Sequence, residues 1–335
     1  MRSMDTAQGL LPLDSTRALD STRPSGTRPS GTRTREGGIR EPISSARERI
    51  SGDRSPRGIE VRHRPAREVL HRSSGPFPWA VDPYRSFQPR GARRLLGRGG
   101  GPRVEVEDGA QWALLRTLRR RDLEGEPIAL GDRTDPYLPA PGVAVEERLG
   151  ITRSLLETLT AAEGLTLSLT TRSPLVVRDL DLLTELDRRH AVTVNVPIPA
   201  LEPNLERALE PETPAPEERL RALAALAAEG LTARLLIRPL APAINDSAES
   251  LVPLLAAARE AGAVDAVAHC LELRGAARTR FLDWLAAEHP RLVARYRGLY
   301  GRRGALRQAD KNRTLKEFRR LRLEHGFPRR RPGRG

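Results

Sequence analysis

From residue 108 onward, short apolar runs alternate with longer stretches in which apolar residues recur every three or four positions. Trp112, Leu115 and Leu118 have helical spacing within 108–121, and Pro127-Ile-Ala-Leu130 then reads as a short strand running into Gly131. The couplet repeats. A helix over 151–163 carries Ile151, Leu155, Leu156 and Leu159 on one face and stops at Gly164, as a glycine C-cap requires; strand 165–170 follows. Helix 177–189 precedes strand 191–195, helix 216–229 with its closing Gly230 precedes strand 231–237, and helix 247–261 with Gly262 precedes strand 264–271. Helices over 277–299 and 305–324 complete the pattern. Strands of four to eight residues alternating with helices of ten to fifteen specify parallel βαβ units, so the expected fold class is α/β, a βα barrel or partial barrel.

What precedes residue 108 is different. Asp-Ser-Thr-Arg occurs at 14–17 and 20–23, and Arg-Pro-Ser-Gly-Thr-Arg at 23–28 and again at 28–33. With few large apolar residues to offset the entropy of ordering, 1–58 is expected to be a disordered low-complexity arm. Residues 60–103 stay rich in arginine and glycine around one apolar island, 75–84. The expected division is an arm over 1–58, a barrel over 59–300, and a basic helix and tail over 301–335. No apolar run approaches the roughly 20 residues of a spanning helix, and no apolar segment follows the first arginine, so a cytoplasmic protein without a membrane partner is expected.

The net charge of +14 is unevenly distributed. Residues 1–103 hold 21 basic and 10 acidic residues, 104–294 hold 21 and 30, and 295–335 hold 15 and 3. The middle is acidic and the ends are basic, which makes nucleic acid a candidate partner for the ends, Arg329-Arg-Arg331 included. Lys311 and Lys316 are the only lysines, an arginine bias that a GC-rich genome also produces. Cys270 is the single cysteine, which excludes an internal disulfide and any metal site built on several thiolates. His269 beside it points to the opposite face of a strand, which is wrong for shared ligation.

In βα barrels ligands sit at the carboxyl ends of the strands. The residues there are Gly131, Asp132, Thr134, Asp135 and Tyr137, then Thr170, Thr171 and Ser173, then Asn195, then Arg238 with Asn245 and Asp246, and finally Glu272 and Arg274. Each singly also fits a turn or cap, and Asp179 and Asp246 stand where helix N-caps belong. Their convergence is what predicts a binding rim.

Four ordered segments resemble one family: Leu130-Gly-Asp-Arg-Thr-Asp-Pro-Tyr-Leu-Pro139, Thr171-Arg-Ser-Pro-Leu-Val-Val-Arg-Asp-Leu-Asp-Leu-Leu183, Leu209-Glu-Pro-Glu-Thr213 and Pro239-Leu-Ala-Pro-Ala-Ile-Asn-Asp246. They are similar to the spore photoproduct lyase-like, or DNA repair photolyase-like, branch of the radical SAM superfamily, and the likeness runs in order from about 60 to 327. The resemblance implies a partial (β/α)6 barrel of TIM type. It also implies a 4Fe-4S cluster on three closely spaced cysteines after the first strand, and S-adenosyl-L-methionine cleaved to a radical. On the same basis Gly131, Asp132, Thr134, Asp135, Tyr137, Thr171, Ser173, Asn195 and Arg238 are expected to line the S-adenosyl-L-methionine pocket. No residue is assigned to catalysis.

The chain departs from that pattern where the cluster belongs. The segment matching the family's Asn-Pro-Tyr-Arg-Gly-Cys is Asp82-Pro-Tyr-Arg-Ser-Phe87, and 84–103 contain no cysteine, histidine, aspartate or glutamate. Such a cluster needs thiolate or, occasionally, other donors of those kinds, so none is expected in this polypeptide. The replacement, with Arg90, Arg93, Arg94, Arg98, Gly97 and the run 99–101, reads as an anion-binding loop or as solvated filler. Three readings follow: a pseudoenzyme with a residual ligand pocket; an active enzyme whose cluster is completed by a partner chain, or whose intact sequence differs over 86–103; and a nucleic-acid binding module working through basic termini.

Overall fold

The computed structural model describes residues 59–73, 75–88, 103–138, 142–211, 213–302 and 304–327; the arm over 1–58, the replacement loop and the tail after 327 lie outside the described residues. The strands are β1 (Glu60–Pro65), β2 (Leu70–Arg72), β3 (Trp79–Val81), β4 (Tyr84–Gln88), β5 (Arg103–Asp108), β6 (Pro127–Leu130), β7 (Thr166–Thr170), β8 (Ala191–Pro197), β9 (Thr232–Leu240) and β10 (Asp265–Cys270). The principal sheet has the order β10-β9-β8-β7-β6-β3-β2. Its strands β3 and β6 to β10 run parallel, and β2 pairs antiparallel at the edge. Six parallel strands in an open, sequential order are the partial (β/α)6 barrel that the sequence led us to expect.

That order dictates where everything else sits. Right-handed crossovers between sequential neighbours put every connecting helix on one face of the sheet, which curls around the other. The helices are α1 (Ala110–Leu118), α2 (Val143–Leu149), α3 (Ile151–Leu159), α4 (Leu180–Asp187), α5 (Pro203–Leu209), α6 (Pro216–Ala228), α7 (Ala248–Glu260), α8 (Gly275–Glu288), α9 (Val293–Tyr300) and α10 (Gln308–Glu324). Ile128, Leu130, Leu167, Leu169, Val192, Val194, Leu235 and Ile237 pack outward into one core with Leu155, Leu183, Leu223 and Leu254 of the helices. The alternate positions point inward. Ala80, Ala129, Ser168, Thr193 and Leu236 are buried there but belong to no part of that core. The inner face is thus small and polar, grading at its carboxyl end into Thr170, Asn195 and Arg238.

Three elements differ from the sequence reading. Within 60–108, which lack strong periodicity, β1, β5 and β4 form a second sheet of order β1-β5-β4, where Ile59, Val61, Tyr84, Val104 and Val106 make a small core with Leu138 and Val145. The helix expected over 277–299 is broken at Pro290, where a 3-10 turn, Pro290–Leu292, separates α8 from α9; proline removes a backbone donor and clashes with the preceding turn. The basic helix α10 is part of the barrel body: Phe318, Leu321 and the following Phe327 enter the principal core, and the buried Arg322 donates to Ala266 O at 2.8 Å and to Asp265. No described helix is long and apolar enough to cross a membrane.

Candidate functional site: the rim at the strand carboxyl ends

The loop after β6 is held by carboxylates. Gly131 leaves the strand at φ +88, where a Cβ would lie 2.6 Å from Pro136 Cδ and 2.9 Å from Thr170 O. Asp82, at the end of β3, accepts from the backbone of Arg133 (3.1 Å) and Thr134 (3.3 Å) through Oδ1, and its Oδ2 lies 3.1 Å from His71 Nε2. Ser73 Oγ donates to Asp132 at 3.1 Å. Asp135 bridges to the next loop: its Oδ1 accepts from Thr171 Oγ1 at 2.7 Å and its Oδ2 from the Arg172 amide at 2.7 Å. Burial raises the Asp135 pKa above the ordinary value, against those hydrogen bonds.

A second carboxylate chain ties the β7 loop to α5 and α6. Arg172 donates through Nε to Glu210 Oε1 at 2.6 Å, and Arg219, wholly buried, donates to Glu210 Oε2 at 2.8 Å, to Pro197 O at 2.8 Å and to Glu206. Thr171 and Ser173 are buried beside it; Ser173 N donates to Thr171 Oγ1, and Ser173 Oγ caps the 3-10 turn that opens at Pro174. Asn195 spends its amide nitrogen on Ser168 Oγ (3.0 Å) and Leu169 O (3.1 Å). Asn245 fastens the loop after β9, accepting from Ala241 N and donating to Pro199 O and Pro239 O. Of the positions named from sequence, Asp135, Thr171 and Ser173 are joined to one another, while Asp132, Asn195 and Asn245 make side-chain bonds to residues that were not named. Asp82, Arg172, Glu210 and Arg219, which organise them, were not singled out; the Leu209-Glu-Pro-Glu-Thr213 motif was the available signal for Glu210.

Corrections to the expected lining follow from packing. Tyr137 is wholly buried in the principal core beneath the Arg178 guanidinium, 5.8 Å from its ring, so it supports the loop from behind. Burial, with Asp179 and Glu146 nearby, raises its phenol pKa well above the usual value. Asp179 makes no cap bond; Arg178 (2.8 Å) and Arg153 (3.0 Å) claim its carboxylate. Ser247, not Asp246, caps α7, and Asp246 accepts from Ala243 N.

What the rim presents toward its centre is charge of both signs. Arg238, on the inner face at the end of β9, makes no hydrogen bond or ion pair among the described residues, and the charges of Arg172, Glu210, Glu272 and Asp132 all reach it. Although its side chain is exposed, partial desolvation between the strand ends, and then Arg172, hold its pKa below the ordinary arginine value. Glu272, with Arg274 at 3.4 Å, stands on the far side.

The residues present do not fit a 4Fe-4S cluster. The segment matching the cluster loop, from Tyr84 on, is strand β4, and Phe87, at the first ligand position, is in register with Val104 of β5. Cys270, the one thiol of the chain, ends β10 at the opposite edge of the principal sheet from β3. No group of three or more metal-capable side chains occurs among the described residues.

No known family model matches the chain. It is 37% identical over 214 residues to an uncharacterised protein of Mycobacterium tuberculosis, a stretch covering 64% of this chain and 61% of the relative. The chain thus spans about three-fifths of the length of this curated relative. An uncharacterised protein of Methanocaldococcus jannaschii is 29% identical over 129 residues, 38% of this chain and 46% of that one. Among solved structures, spore photoproduct lyase with bound AdoMet and dinucleoside spore photoproduct superposes with a TM-score of 0.54 over 81% of this chain and 80% of the lyase, at 16% identity. The lyase complexed with dinucleoside spore photoproduct alone gives 0.53 over 80% of each chain, also at 16% identity. The fold of this chain is that of spore photoproduct lyase.

Proposed function

We propose that this chain is a radical SAM-fold binding protein with no cluster of its own, whose strand-end rim holds a small ligand bearing both charge signs, S-adenosyl-L-methionine being the first candidate. The observation that carries this reading is the donor set: one thiol in 335 residues, with Phe87 of the paired strand β4 at the first ligand position. When bound, the cluster supplies the electron that cleaves S-adenosyl-L-methionine, chemistry that no side chain of this protein replaces. What the chain retains is positioning. Asp132 and Glu272 suit a cationic group, Arg238 suits a carboxylate or phosphate, and the Asp82 and Asp135 bridges hold the loop that carries Asp132.

The test is anaerobic reconstitution of the purified full chain with iron and sulfide, with iron counted per polypeptide and the visible spectrum taken with and without S-adenosyl-L-methionine. In parallel, calorimetric titration of the same cofactor is made into the untreated chain. No stoichiometric iron together with measurable cofactor binding supports the proposal. A stoichiometric cluster whose spectrum responds to the cofactor overturns it and favours ligands supplied in trans. Nucleic-acid binding through α10 has less support than its composition suggests, since Arg320 is engaged by Glu317 and Glu324, Arg313 by Asp310, and Arg322 is buried on Asp265.

A further inference from the structure

We propose that the outer face of α1 binds single-stranded nucleic acid, with a base stacked on Trp112 and the flanking phosphates taken by Arg116 and Arg119. Trp112 is 47% exposed, the most exposed large hydrophobic side chain in the described structure. Positions 112, 116 and 119 follow one another at i, i+4 and i+7, so they share one face of the helix over about 10 Å of its length. Ala110, Ala113 and Leu114 occupy the buried face. Arg116, Arg119 and the adjacent Arg120 are all exposed and make no ion pair or hydrogen bond through their side chains among the described residues.

Several helical arginines meet acidic partners one turn away, Arg188 and Arg189 with Glu185, Arg153 with Glu157, and Arg320 with Glu317 and Glu324, whereas Arg116, Arg119 and Arg120 have none within reach on α1. Residues 109–121 contain no acidic residue at all, within a region, 104–294, where acidic residues outnumber basic ones by 30 to 21. An unpaired cationic stripe around an open indole favours an occupant with both phosphates and flat rings. Base stacking on an aromatic side chain tolerates any sequence, and arginine supplies the counterion-releasing contacts. A nearby tryptophan illustrates the alternative state: Trp79 carries the guanidiniums of Arg72 and Arg121 at 4.1 and 4.8 Å from its ring, and so is already covered. The chain's own N-terminal arm is basic and is a poor occupant for the same face.

The experiment is fluorescence anisotropy of a labelled single-stranded 12-nucleotide DNA with the full chain, against Trp112→Ala, Trp112→Phe and the double variant Arg116→Ala/Arg119→Ala. Because α1 buries its other face, each variant's fold is checked by its melting curve. Contributions of the basic termini are common to all four proteins and cancel. The proposal expects about a tenfold loss of affinity for Trp112→Ala, a single base stack, with most of it kept in Trp112→Phe. It expects the double variant to flatten the slope of log K against log salt by about 0.7 per arginine. Absence of binding, unchanged affinity and slope in folded variants, or equal displacement of the DNA by polyglutamate would each overturn it.

Discussion

Arg172 and Glu210, 38 residues apart, meet at 2.6 Å over the carboxyl ends of the strands, and the other oxygen of Glu210 takes the buried Arg219 at 2.8 Å. One carboxylate therefore serves two guanidiniums on two different elements. Glu210→Ala leaves Arg219 with Glu206 as its one carboxylate beside the Pro197 carbonyl in a dry site, where breaking a buried pair costs about 3–5 kcal/mol. Urea denaturation is expected to lose that much, and Glu210→Gln, which keeps an acceptor, to lose less.

The second sheet is attached through Tyr84, whose hydroxyl donates to the wholly buried Glu146. The same carboxylate accepts from Thr152 N at 3.1 Å and from Arg178 at 2.6 Å. Tyr84→Phe removes one donor from a buried anion without opening a cavity, so a loss of about 2 kcal/mol is expected in the denaturation midpoint.

Asp135 gives a pH signature. Burial raises its folded-state pKa above the 3.8 of a free aspartate, so the native chain binds more protons there than the unfolded chain. Its contribution to stability therefore falls as pH rises from about 4 through the folded pKa. Asp135→Asn cannot titrate, and the difference in unfolding free energy between variant and parent, measured from pH 4 to 7, is expected to move in the variant's favour as pH increases.

Gly131 is required by geometry. Any Cβ at φ +88 meets Pro136 and the carbonyl of Thr170 inside contact distance. Gly131→Ala is expected to cost more than about 1 kcal/mol and to lower the melting temperature, because backbone strain and collision act together.

Cys270 offers a check on the inner edge of the barrel. Burial raises its thiol pKa above 9.0, against the attraction of Lys311 and Arg319, so little thiolate is present at pH 8. A disulfide reagent is expected to label the native chain slowly and the urea-unfolded chain many times faster, at one thiol per chain.

Much of this architecture was legible in advance. The strands at 127–130, 166–170, 191–197, 232–240 and 265–270 fall where apolar runs between glycine-capped helices put them, because period and capping are local properties. The rim was legible as a set of positions, since strand ends in a βα barrel are where loops converge. The roles within it were not. Asp135 reads as a ligand residue until Thr171 and Arg172 are found on its two oxygens, and Tyr137 reads as lining until its ring is found in the core. The strands β1, β4 and β5 gave weak signals, because each pairs with residues 15 to 43 positions away and owes its stability to that pairing.

Local periodicity, glycine caps and a single cysteine were enough to define five of the six parallel strands with their helices, and the lack of a thiolate set. These follow from spacing and composition, which the chain carries whether or not it is folded. Which carboxylate answers which guanidinium was settled by folding alone. Arg172, Glu210 and Arg219 come together from separate elements, and at such short range burial and geometry, not residue type, determine whether a charge is a strut within the wall or, like Arg238, is left without an ion pair among the described residues.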